Sequence, residues 1–178
     1  MAPPDVGPAD YARACAERRV RGESAPPSPG GAIFTERAAC FVSIKKAGQL
    51  RGCIGTLTPA EPDLAAEIAH NAGSAAFHDP RFAPVDRGEL EQLSYSVDVL
   101  GEPEDVGDLS DLDERKYGII VRCGARRGVL LPDLAGVDSV AKQVSIALQK
   151  AGIAAHEPFE IQRFTVTRYR EEPRADAG

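Results

Sequence analysis

Among 178 residues, the segment whose types and spacing could do chemistry is Leu50-Arg51-Gly52-Cys53-Ile54-Gly55. Its flanks read as strand, and side chains alternate along a strand, so Leu50, Gly52 and Ile54 are expected on one face and Arg51 and Cys53 on the other. A thiol beside a guanidinium is a candidate nucleophile or modification site, because a nearby cation favours the reactive thiolate. The two glycines leave room there for a substrate or a second backbone. A competing reading treats the sheet as covered on both faces. Cys53 is then a small buried hydrophobe, and the glycines permit close helix packing.

The remaining candidates carry less chemistry. Cys15, Cys40 and Cys123 are scattered singly, without the spacing of a disulfide framework or a zinc site, and are expected as reduced thiols, with Cys40 and Cys123 in the core. His70 and His78 lie eight residues apart, about 12 Å along a straight helix, too far to share a metal ion. They read as solvated surface histidines, and no metal site and no cofactor is expected. Asp79-Pro80-Arg81-Phe82 can be a structural corner in which Asp79 pairs with Arg81, or it can point Arg81 into a cleft beside Arg51. Arg168 and Arg170 continue the parity of Phe164 and Val166 in the last strand, where they could hold an anionic ligand or only extend along the sheet edge. The sequence has no P-loop, dinucleotide fingerprint, HExxH or GxSxG.

These residues need elements to position them. Helix material runs from Pro8 to about Val20, with Asp10 as a possible cap and Tyr11, Ala12, Ala14 and Cys15 as an apolar stripe. Gly22 to Gly31 is a loop of glycine, proline and serine. Ala39 to Lys45 and Leu50 to Gly55 pair as a hairpin, and a helix opened by Pro59 and Pro62 runs to about Phe77. Ser94 to Leu100, Tyr117 to Arg122 and Gly128 to Leu131 supply further strands. The acidic stretch Glu102 to Glu114 reads as solvated loop. Asp138 to Ala151 is an amphipathic helix on Val140, Ala141, Val144, Ala147 and Leu148, capped by Asp138 and ended by Gly152. In the last strand, Phe159 to Arg170, the apolar phase slips near Gln162 and Arg163, which a β-bulge would explain. Hairpins and separated helices imply an α+β domain with a mainly antiparallel sheet and flanking helices.

Composition bounds the function. With 43% hydrophobic and 27% charged residues and a net charge of −6, the chain reads as a soluble globular protein, and nucleic acid is an unfavourable partner. The 6% aromatic content adds few stacking platforms for single strands. No apolar run approaches the roughly 20 residues that span a bilayer, and the N-terminus lacks the pattern of a secretory signal, so a cytoplasmic location without membrane attachment is expected. Residues 1–8 and 171–178 are expected as disordered tails around a domain at 9–170.

The sequence also resembles a known family. Leu50 to Thr56, LRGCIGT, is similar to the signature of the AMMECR-type domain. Asp79-Pro80-Arg81-Phe82 with Pro84, Glu89-Leu90, Ser96-Val97, Gly118-Ile119, Leu131-Pro132 and Thr167-Arg168-Tyr169-Arg170 follow in matching order. The resemblance implies one domain in two lobes with a cleft, a biochemical activity not firmly assigned, and a place in the AmmeMemoRadiSam system beside a Memo-type protein and a radical S-adenosylmethionine enzyme. It carries interest onto Arg51, Gly52, Cys53 and Gly55, and onto Asp79, Arg81, Arg168 and Arg170, but not onto the histidines. Two functions stay open: a component with a reactive site on Cys53 and Arg51, or a non-catalytic interaction module in which Cys53 is structural.

Overall fold

The structure, a computed structural model, describes residues 6–172. It contains two compact units, one taking residues up to Val99 and again from Arg168, the other Leu100–Thr167.

In the first unit, α1 (Pro8–Val20) begins with proline at its first turn, where the missing N–H costs no hydrogen bond. Gly7 is the N-cap, so Asp10 lies in the first turn instead, where its charge suits the helix dipole. The buried stripe is Tyr11, Ala12, Cys15 and Ala16. A one-turn helix, α2 (Ala32–Thr35), follows the proline-rich loop and buries Phe34 edge-on against Tyr11. No periodicity could reveal so short an element.

Strands β1 (Cys40–Lys46) and β2 (Gln49–Gly55) form an antiparallel hairpin turned by Ala47 and Gly48, both at positive φ. Strand β3 (Leu93–Leu100) pairs antiparallel with β1, matching Val42 to Val97 and Ser43 to Ser96. Cys40, Val42, Ile44, Tyr95 and Val97 bury one face against α1 and α3 (Leu64–Phe77), each large aliphatic contributing about 2 kcal/mol by leaving water. Helix α3 starts later than Pro59 because Asp63 caps it, its carboxylate accepting from Ala66 N at 2.8 Å. The segment before it is held by Glu67, fully buried, which accepts from Thr56 Oγ1 and from the backbone N–H groups of Ala60 and Glu61.

The second unit contains β4 (Glu104–Asp105), β5 (Tyr117–Cys123), β6 (Arg126–Leu130), α4 (Val140–Ala151) and most of β7 (Glu160–Arg170). Part of the acidic stretch is therefore strand: Glu104 and Asp105 pair with Arg163 and Gln162. Val144, Ala147 and Leu148 of α4 pack on Ile119, Val121 and Leu130. Ser139, not Asp138, caps α4 by accepting from Lys142 N, and Gly152 ends it at φ +67°. Ala141 is exposed, and Gln143 takes the buried position, donating to Tyr117 O at 2.8 Å.

No bulge interrupts β7 where it pairs with β5, from Glu160 to Thr165. The apolar phase slips because both faces of the strand are covered there: Ile161 packs with Val121 and Ile119, while Phe164 on the other face fills the space over Gly118. The register shift lies instead in the first hairpin, between Ile44 and Lys45.

The domain limits expected at 9 and 170 cut through ordered structure. Pro8 is buried in α1, and the Glu171 carboxylate accepts from Arg13 and from Tyr95 N. The remaining tail residues, 1–5 and 173–178, lie outside the described residues.

Candidate functional site at the first hairpin

The register shift decides how LRGCIG is presented. Ile44 pairs with Gly52 but Lys45 pairs with Leu50, leaving Arg51 without an opposite residue. Leu50 is thereby placed with Lys45 and is 41% exposed, so it does not share the buried face with Gly52 and Ile54 as strict alternation predicted. Arg51 is a clamp. Its Nε and Nη2 both donate to the Glu89 carboxylate at 2.9 Å, and Nη1 donates to Ala83 O at 2.9 Å. Lys46 also donates to Glu89, and the Arg51 guanidinium is the main reason its carboxyl falls to about 2.

Cys53 stands opposite Ser43, and their side chains meet, Ser43 Oγ donating to Sγ at 3.2 Å. The backbone groups of Cys53 point off the free edge of β2. Its N–H donates to Asp79 Oδ2 at 2.9 Å, and its carbonyl accepts from Arg81 Nη2 at 3.4 Å. A pair whose backbone groups point outward is the non-hydrogen-bonded type, which brings the facing side chains closest, and that accounts for the Ser43 contact. Asp79 and Arg81 thus act as a side-chain substitute for the next strand. Asp79, 4% exposed, accepts from Arg81 Nη2 at 2.7 Å and Nε at 3.0 Å, and this pairing holds its carboxyl well below the usual carboxylate range. The corner pairing of Asp79 with Arg81 is present, and Arg81 also reaches the backbone carbonyl of Cys53. Of the nearby cations, the Arg81 guanidinium is tied to Cys53 through that backbone carbonyl.

The glycines serve packing. A Cβ on Gly52 would lie 2.2 Å from the carbonyl oxygen of Ala75 in α3, and one on Gly55 would meet the Phe41 ring. Cys15 and Cys40 are buried, and burial pushes their thiols up to about 11 and about 12. Cys123 is half-buried beside the second core, where Arg126 Nη2 contacts Sγ at 3.4 Å. His70 and His78 are exposed, His70 lying 3.3 Å from Glu61. Among the described residues no group of His, Cys, Asp and Glu is placed to hold a metal ion, and no helix is long and apolar enough to cross a membrane.

On the sheet face away from α3, the Cys53–Ser43 row continues to Ser96, and the Leu50–Lys45 row to Ser94. Arg168 meets this face through Asp98, donating from Nε and Nη2 at 2.7 and 2.8 Å. A hollow of about 280 Å³ is lined by Ser43, Lys45, Ser94, Ser96, Arg168 and Arg170. The sequence pointed to Cys53 and the arginines but not to Ser43, Lys45, Ser94 or Ser96. Their only signal was the polar half of the alternating pattern in β1 and β3.

The solved structures include an α+β protein of this fold, an uncharacterized Pyrococcus horikoshii protein with a TM-score of 0.80 at 27% identity, covering 93% of this chain and 90% of that one. The AMMECR1 family profile matches residues 9–173, and the chain belongs to that family. It is 53% identical over 140 residues to a Thermotoga maritima protein, covering 78% of this chain and 80% of the relative. A Clostridium acetobutylicum protein is 50% identical over 131 residues, 74% of this chain but 28% of its own length. For a Methanosarcina acetivorans protein the identity is 40% over 122 residues, 66% of this chain and 58% of the relative. The chain thus spans most of the first of these relatives and a minority of the second.

Proposed function

We propose that this AMMECR1-family protein is the site-bearing component of a modification pathway, acting with a Memo-type protein and a radical S-adenosylmethionine enzyme, and that its reacting group is Cys53. The family resemblance supports the partners. The observation that supports the site is the Ser43 hydroxyl donating to the Cys53 sulfur, with the Arg81 guanidinium held at the carbonyl of the same residue. A hydrogen-bond donor on the sulfur and a cation nearby both favour a thiolate. Arg51 has a supporting role in this reading, fixing the bulged strand through Glu89.

Timed iodoacetamide labelling at neutral pH, with each cysteine quantified by mass spectrometry, tests the site. Cys53 is expected to label before Cys15 and Cys40, and Arg81→Gln is expected to slow it several-fold while Arg51→Gln leaves its rank unchanged. Labelling of Cys53 last of the four would leave the alternative, an interaction module with a structural cysteine. Co-elution with purified partner proteins separates the pathway claim from the chemical one.

A further inference from the structure

The hollow beside Cys53 has an unusual charge balance for an acidic protein. Three cations line it, Lys45, Arg168 and Arg170, against one carboxylate, Glu171. Glu171 is already paired with Arg13, a residue outside the lining, and Arg168 is paired with Asp98. Among the described residues Lys45 and Arg170 are in no ion pair, although the chain as a whole carries −6. Around them Ser94 and Ser96 make no side-chain hydrogen bond among the described residues, and Ser43 bonds only Cys53.

We infer that this face of the first unit binds the phosphate group of a small phosphorylated molecule, with Lys45 and Arg170 as its counter-charges and Ser94 and Ser96 as hydroxyl donors. A lysine supplies a point charge and an arginine a planar fork of donors, and together they match a tetrahedral dianion with three terminal oxygens better than a carboxylate with two. The volume, about 280 Å³, suits a phosphate with only a few further heavy atoms. Adjacent strands lie roughly 4.8 Å apart, so Cys53 is about 10 Å across the sheet from the β3 serines. A ligand anchored at Lys45 and Arg170 would direct its uncharged end along the Ser43 row toward the thiol. The inference rests on the reading above only in that last step; the anion site itself is independent of whether Cys53 reacts.

Calorimetric titration of the full chain with inorganic phosphate, pyrophosphate and succinate at low ionic strength tests it. One phosphate or pyrophosphate per chain is expected, with succinate weaker, and Lys45→Gln/Arg170→Gln is expected to lose at least roughly tenfold in affinity, about 1.4 kcal/mol. Cys53→Ser should bind as the wild type does, so a failed thiol and a failed anion site are told apart. Because the double variant could be compromised in folding, a second measurement uses the wild type: phosphate should slow acetylation of Lys45 and leave that of Lys142 unchanged. No binding to the wild type, equal binding by a folded double variant, or preference for succinate would each overturn the inference.

Discussion

The two units solve one packing problem in the same way and then diverge. In the first, α3 lies so close to β2 that a Cβ on Gly52 would sit 2.2 Å from the Ala75 carbonyl oxygen. In the second, α4 lies equally close to β6, and a Cβ on Gly128 would sit 2.2 Å from the Ala147 carbonyl oxygen. Both glycines are in hairpin strands and both helices present alanine. The residue after Gly128 is Val129, buried, whereas the residue after Gly52 is Cys53, half-exposed with Ser43 and Arg81 at hand. A glycine beside a cysteine therefore does not by itself indicate room for a substrate: the device recurs in the second unit, where a buried valine follows it. What sets Cys53 apart is the edge treatment of its strand by Asp79 and Arg81.

The sharpest way to break this comparison is to fill both glycines. Gly52→Ala and Gly128→Ala each drive a methyl into helix backbone, which cannot swing aside as a side chain can, so each is expected to lose about 3 kcal/mol in denaturant unfolding. If Gly52→Ala were tolerated while Gly128→Ala was not, the space over Gly52 would be adaptable, and the substrate-room reading of the motif would return.

A second test uses the Arg–Glu clamps that secure the two hairpins. Arg51–Glu89 is sheltered, each side chain 15% exposed, whereas Arg126–Glu157 is open, at 43% and 29%. Both carboxyls are pulled to about 2, chiefly by their arginines. A carboxyl depressed in the folded state adds stability above its unfolded value, 4.5, and loses it as pH falls toward 2. Glu89→Gln is expected to cost about 2 kcal/mol at pH 7 and almost nothing at pH 2. Glu157→Gln should follow the same sign with a smaller amplitude, because solvent screens the exposed pair. Urea unfolding at the two pH values checks both.

How far the sequence disclosed these features follows from the range of the interactions. Helix α3, helix α4 and the hairpins are written in local periodicity and in Gly, Pro and Asp signals, so they were legible. The bulge at Arg51 was not, since alternation along β2 alone cannot show which β1 residue each position faces. The same limit hid the cation-lined hollow: Ser43, Ser94, Ser96 and Lys45 come together only through the β1–β3 register. Phe164 misled for the opposite reason. A phase slip looks like a bulge in one strand, and only the partner strands show that both faces are covered.

The smallest expected effect concerns the helix starts, where the units again use one device with different residues. Asp63 caps α3 and Ser139 caps α4, each side chain accepting from the backbone N–H three residues on. The cap expected from the sequence was Asp138; its neighbour Ser139 is a residue type that caps equally well, so residue type alone does not separate the two. In the structure Ser139 has the extended backbone of a cap, φ −154° and ψ 154°, and Asp138 is exposed outside the helix. Ser139→Ala is therefore expected to cost about 1 kcal/mol, while Asp138→Ala should stay within about 0.5 kcal/mol of the wild type. Thermal unfolding of the two variants side by side decides it. A larger loss from Asp138→Ala would move the start of α4 back by one residue and would require a different partner for the Lys142 N–H.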